Sequence, residues 1–102
     1  ALEIKPDFFD ALFNMGVIYY NRGVNVVNEA QDIPRGEEEK YRAKLEEAAE
    51  EFEKAIPYLK DAHKANPDDV SALRTLSKIY RRLKKEEERK EIDEKIDKLM
   101  GQ

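Results

Sequence analysis

Apolar residues in the first part of the chain recur at alternating spacings of four and three residues, the period of a helix with one buried face. The series consists of Leu12, Gly16, Tyr19, Gly23, Val26, Ala30 and Ile33. A second series with the same spacing follows the segment 33–36 and consists of Tyr41, Leu45, Ala48, Phe52, Ala55, Leu59 and Ala62. Because each series continues for three heptads, the pattern predicts two long helices that pack along each other, over about residues 7–31 and 36–66.

Two glycines fall on the apolar seam of the first predicted helix. Glycine in a helix interior costs about 1 kcal/mol relative to alanine, and yet both Gly16 and Gly23 lie where the second helix would pack. We therefore expect the helix to continue through both positions and the second helix to approach it closely there.

Two shorter helices are predicted after Asn66-Pro67-Asp68-Asp69, over about residues 69–83 and 86–100. The apolar residues of the third are Val70, Leu73, Leu76, Ile79, Tyr80 and Leu83, and those of the fourth are Ile92, Ile96 and Leu99. Lys84-Lys85 leaves room only for a tight connection between them. The chain is therefore predicted to be all-α, with four antiparallel helices and no strand.

The segment ALEIKPDFFDALFNMGVIYY resembles DAHKANPDDVSALRTLSKIY, sixty-one residues later. The alignment pairs Leu12 with Leu73 and Tyr19 with Tyr80. Such a recurrence is typical of helical repeats, in which each unit buries its apolar face by stacking on the next.

The residues that recur resemble the pattern of the tetratricopeptide repeat. The first helix of each unit has a large apolar residue, a second one three residues on, a small residue and then a tyrosine: Leu12, Met15, Gly16 and Tyr19, and again Leu73, Leu76, Ser77 and Tyr80. The second helix of the first unit has the corresponding Ala55, Leu59 and Ala62, followed by Pro67. The resemblance implies two stacked helical hairpins that bind proteins or peptides on a concave face, without enzymatic activity.

The chain departs from this family in two places. Ordinary units recur at about 34 residues, so about 27 residues, 24–50, are surplus; because both apolar series continue through them, we expect a protruding helical hairpin. Asp93 and Ile96 replace the aromatic residue and the alanine expected in the second unit. We interpret residues 1–102 as one domain, with residues 1–6 the remnant of a preceding repeat, 7–67 an elongated repeat and 68–100 a C-terminal capping repeat.

Charge is distributed unevenly along the 102 residues, of which 41% are charged. Residues 1–69 have 9 basic and 16 acidic side chains, a net charge of −7, whereas residues 70–102 have 10 and 7, a net charge of +3. An overall charge of −4 argues against nucleic acid as a partner, and no apolar run is long enough for a membrane span. Without cysteine, the redox compartment stays unknown, and a soluble, cytoplasmic protein is the default expectation.

In the resembling family, the first helix of each unit lines the concave face. By this resemblance, the concave face of this chain would contain an apolar stripe on the first helix, formed by Phe13, Val17 and Tyr20. The positions sixty-one residues later form a basic row on the third helix, Arg74, Lys78 and Arg81. We expect these residues, with the amides of Asn14 and Asn21, to bind an amphipathic or acidic peptide or helix. The alternative is that the stripe packs against the third helix and that the basic row is ordinary solvated surface.

A second hypothesis is self-association through the protruding hairpin, where an exposed apolar surface would need a partner copy. The candidate residues are Val24, Val27, Tyr41 and Leu45. A third is an engineered or excised repeat scaffold without a natural ligand. Neither a catalytic site, a metal site nor a cofactor is predicted, because the sole histidine, His63, lacks a second histidine or a cysteine nearby and the consecutive glutamates splay around their helices.

Overall fold

The computed structural model describes residues 6–101. It contains helices α1 (Pro6–Gln31), α2 (Glu38–Ala65), α3 (Ser71–Arg82) and α4 (Glu86–Leu99), and the described residues form no strand. The predicted all-α fold, with helical hairpins like those of the tetratricopeptide repeat, is confirmed. Helix α1 begins at Pro6, and residues 1–5, which belong to the predicted remnant of a preceding repeat, lie outside the described residues.

Helices α1 and α2 pack along each other, as the two apolar series predict. A Cβ atom at Gly16 would lie 2.5 Å from Cγ of Leu59, and one at Gly23 would lie 2.5 Å from Cε1 of Phe52. These distances are too short for any real Cβ atom, so the two glycines allow the backbone of α1 to approach α2. The role expected for both residues is confirmed.

The core lies between α1, α2 and α3 and reaches Ile92 of α4. Its most buried large side chains are Leu59, Leu73, Leu76 and Ile79. Helix α3 packs on α2 and touches α1, and α4 packs on α3. The order of contact is that of two helical hairpins stacked on each other.

Helix ends differ from the predicted bounds by at most two residues. Gly36 has φ +98°, and the N–H of Glu37 donates to the carbonyl of Pro34, so the turn persists to Glu37 and α2 begins at Glu38. The N–H of Ser71 donates to the carboxylate of Asp69 at 2.7 Å, and α3 therefore begins two residues later than predicted.

The turn between α3 and α4 is a Schellman motif. The N–H of Lys85 donates to the carbonyl of Tyr80 and that of Lys84 to the carbonyl of Arg81, while Lys84 has a left-handed φ of 61°. This closure reverses the chain within three residues and places α4 directly against α3.

A polar bridge replaces the aromatic residue that the repeat pattern would place on α4. The hydroxyl of Ser77 donates to Oδ1 of Asp93 at 2.7 Å, and Nη1 of Arg89 donates to Oδ2 of the same carboxylate at 2.9 Å. Ser77 is 7% exposed, so this bridge satisfies a buried hydroxyl where a larger apolar side chain would otherwise pack.

The first hairpin extends beyond the second because its helices are about twice as long. Helix α1 has 26 residues and α3 has 12, which correspond to about 39 Å and about 18 Å. The Cα positions extend over 57 × 28 × 15 Å. The free end of the first hairpin contains the α1–α2 turn and projects past the α3–α4 turn.

Candidate protein-binding surface

The apolar stripe of α1 is only partly accessible. Phe13, Val17 and Tyr20 are all half-buried, and Phe13 and Tyr20 pack against the core. The ring of Phe13 stacks on that of Phe9, with centroids 5.8 Å apart and planes at 6°. The stripe therefore contributes to the fold and also keeps an exposed edge.

Arg82 is the side chain at this surface that the sequence did not single out. Its guanidinium carbon lies 6.0 Å from the ring centroid of Tyr20 and 5.6 Å from that of Phe52. The two rings are 5.7 Å apart, so Arg82 covers an aromatic pair in cation–π geometry. The sequence could have indicated Arg82, because the repeat offset of sixty-one residues aligns it with Asn21, one of the predicted binding residues.

The basic row of α3 is exposed. Arg74, Lys78 and Arg81 follow at spacings of four and three residues, opposite the buried side chains of α3. Among the side chains of residues 8–101, no carboxylate lies within 4 Å of these three cations. The nearest polar contact of Arg74 is the Sδ atom of Met100, 3.8 Å from Nη2.

Arg82 connects the end of α3 to the apolar stripe. It sets the C-terminal end of α3 beside Tyr20, and both Asn14 and Asn21 are exposed. The predicted site residues thus divide into a half-buried apolar part on α1, an exposed basic part on α3 and two exposed amides. Among the side chains of residues 8–101, no hydrogen bond or ion pair joins the basic row to α1.

The protruding hairpin presents a second surface. Of its four candidate residues, Val24 and Val27 are half-buried against the core, whereas Tyr41 and Leu45 are 42% and 36% exposed. A cavity of about 300 Å³ opens where the hairpin passes the end of α3. It is lined by Val27, Leu45, Ala48, Ala49, Phe52, Arg82 and Leu83.

Groups suited to other chemistry are sparse in the described part of the chain. Residues 6–101 contain no cluster of three His, Cys, Asp or Glu side chains that could hold a metal ion. Their helices include none long and apolar enough to cross a membrane. The pKa of Tyr80 is raised mainly by burial, as expected for a phenol in the core.

A comparison with protein families matches residues 37–79 to the sequence model of the tetratricopeptide repeat. The matched region begins at the turn before α2 and ends within α3. Over these residues the helical chain is similar to a tetratricopeptide repeat. Searches of the curated proteins and of the solved structures gave no significant match.

Tetratricopeptide repeats typically bind proteins or peptides and are generally non-enzymatic scaffolds. The match spans α2 and most of α3. It therefore includes the basic row from Arg74 to Lys78, but not the apolar stripe of α1.

Proposed function

We propose that this tetratricopeptide-repeat-like protein is a non-enzymatic interaction scaffold that binds an acidic, amphipathic peptide or helix across α1 and α3. The observation that supports this most strongly is the uncompensated charge of the basic row. Five basic side chains in the described chain form ion pairs, and none of them lies on α3. Like charges without counterions destabilise the folded chain, so an acidic partner gives them a role.

The half-exposed edge of the stripe supplies the apolar part of the same surface. Val17 and Tyr20 keep accessible area beside Arg82, and the amides of Asn14 and Asn21 can hydrogen-bond to a partner backbone. A helix with acidic residues flanking an apolar seam matches this arrangement, because its seam would contact α1 while its carboxylates reach the cations of α3.

The first test compares two short helical peptides with the same leucine seam, one with glutamate flanks and one with glutamine flanks. Because exposed charge pairs contribute about 0.2–1 kcal/mol each, three pairs predict about tenfold tighter binding of the glutamate peptide. Fluorescence anisotropy of the labelled peptides measures both affinities. Equal affinities, or no binding of either peptide, would contradict the proposal.

Self-association through the protruding hairpin is the second candidate function. The observation that favours it is the exposure of Tyr41 and Leu45 on the protruding hairpin, where Leu45 also lines the cavity at the end of α3. An apolar surface that projects beyond its own domain is covered if a second copy packs on it. Val24 and Val27 also contribute to the core, so substitutions there would report on folding as well as on association.

Sedimentation equilibrium at several concentrations tests this candidate. We expect a concentration-dependent dimer whose dissociation constant rises at least about tenfold in the variant with Tyr41→Ser and Leu45→Ser. The control is the variant with Phe8→Ser and Ile18→Ser, which removes two exposed apolar side chains elsewhere on the surface. A monomer at all concentrations of the unsubstituted chain would exclude self-association.

A further inference from the structure

A small cavity lies at the end of the molecule where α2 and α4 terminate. It has a volume of about 280 Å³ and is lined by His63, Pro67, Lys95, Lys98 and Leu99. Ligand pockets range upward from about 300 Å³, so this cavity has room for one small group. It is at the opposite end of the molecule from the α1–α2 turn, and it shares no lining residue with the surface proposed above.

The two charged residues that line this cavity are both lysines. Lys95 and Lys98 are three residues apart on α4 and therefore project from the same side of the helix. Across the described side chains, 8–101, no carboxylate lies within 4 Å of either ammonium group. Lys98 lies in the last turn of α4, where a cation stabilises the helix dipole. The helix dipole does not explain why the imidazole of His63 lines the same cavity.

The two ring nitrogens of His63 differ in burial: Nδ1 is buried, whereas Nε2 is not among the buried unpaired atoms. The buried Nδ1 atom has no hydrogen-bond partner in the described chain. An unpaired donor there would be costly, so the proton of the neutral ring resides on Nε2, which can donate toward the cavity. Burial, and then the charge of Lys95, lower the pKa of His63, in agreement with a neutral ring beside a cation.

We propose that this cavity, the His63 cavity, binds a carboxylate attached to an apolar group. The carboxylate would accept hydrogen bonds from Nε2 of His63 and from the ammonium groups of Lys95 and Lys98. The apolar group would pack on Pro67 and Leu99. A free small acid and the C-terminal carboxylate of a peptide with an apolar last residue share this chemistry.

His63 is the only histidine of the chain, so its imidazole proton resonances report on this cavity without ambiguity. We would titrate the protein with N-acetyl-leucine and, separately, with N-acetyl-leucinamide, which lacks the carboxylate. The acid is expected to give a saturable shift and to raise the pKa of His63, and the amide is expected to do neither. An identical response to both compounds, or no response to the acid, would overturn the proposal.

Two further ligands distinguish the contribution of the carboxylate from that of the apolar group, and a small acid from a peptide terminus. Acetate has the charge without the apolar group, so it is expected to bind at least about tenfold more weakly than N-acetyl-leucine; equal binding would overturn the apolar part. A peptide ending in leucine, compared with its C-terminal amide, distinguishes a peptide terminus from a small acid. The proposal is limited to small acids if the peptide acid does not bind while N-acetyl-leucine does.

Variants of α4 test the assigned residues. Lys95→Gln and Lys98→Gln are each expected to weaken N-acetyl-leucine binding by about tenfold, and Lys90→Gln, an exposed lysine on the same helix, is the matched control. If the control weakens binding equally, the effect is one of net charge and the proposed site is wrong. Circular dichroism checks that each variant is folded, and binding of the acidic peptide to α1 and α3 is a separate measurement that these variants should leave unchanged.

Discussion

Replacing Gly16 with alanine is expected to lower the free energy of unfolding by about 1–3 kcal/mol, the usual cost of overpacking a filled core. Alanine is the better helix former by about 1 kcal/mol, so propensity alone predicts the opposite sign. The packing cost should prevail because the new methyl group would lie 2.5 Å from Cγ of Leu59, a side chain with no exposed surface. Chemical denaturation monitored by circular dichroism measures the difference.

A double-mutant cycle attributes this loss to one contact. Leu59→Ala alone should cost about 2–5 kcal/mol, and the double variant should be more stable than the sum of the two single effects, since the small side chain leaves room for the methyl group. Asn25→Ala, at an exposed position of α1, is the control and should be neutral or slightly stabilising. If Gly16→Ala behaves like this control, the close approach of α1 and α2 is wrong.

Reversing two charges of the basic row is expected to weaken binding of the acidic peptide by about 30-fold or more. Arg74→Glu with Lys78→Glu removes two attractions and adds two repulsions, each worth up to about 1 kcal/mol at an exposed site. Both side chains are exposed, and no carboxylate of residues 8–101 lies within 4 Å of either, so the substitutions should leave the fold intact. Peptide anisotropy and a thermal melt measure affinity and stability separately.

The chain offers a matched control for this experiment in Lys60 and Lys64 of α2. They have the same i, i+4 spacing and are also exposed, so reversing both changes the net charge by the same amount on another part of the surface. Only the α3 variant should lose affinity, and the difference should shrink near 1 M salt, where the screening length is about 3 Å. Equal losses in both variants would show that net charge, and not the basic row, attracts the peptide.

The architecture was predictable because two long helices leave a repeated pattern in the sequence. Spacings of four and three residues placed α1 and α2 to within two residues, and glycines on the seam predicted the approach that Gly16 and Gly23 make to Leu59 and Phe52. The recurrence of sixty-one residues gave the stacking order, since units of this kind bury their apolar faces against each other.

The candidate surface was less predictable because exposure depends on neighbours far away in sequence. The pattern placed Phe13 and Tyr20 on one face of α1 but did not decide how much of that face α2 and α3 cover, and the structure leaves both side chains partly accessible. Arg82 covers Tyr20 because of the level at which α3 ends. The His63 cavity likewise depends on the meeting of two helix ends, 63–67 and 95–99.

The central claim is that α1 and α3 together form the binding surface of this scaffold. The most direct test is to follow the backbone amides of the isotope-labelled chain by NMR during titration with the glutamate peptide. We predict saturable shifts concentrated at residues 13–21 of α1 and 74–82 of α3, with small shifts on the outer face of α4 and at the α1–α2 turn. Saturable shifts confined to α4 or to the protruding hairpin, with α1 and α3 unchanged, would contradict the claim.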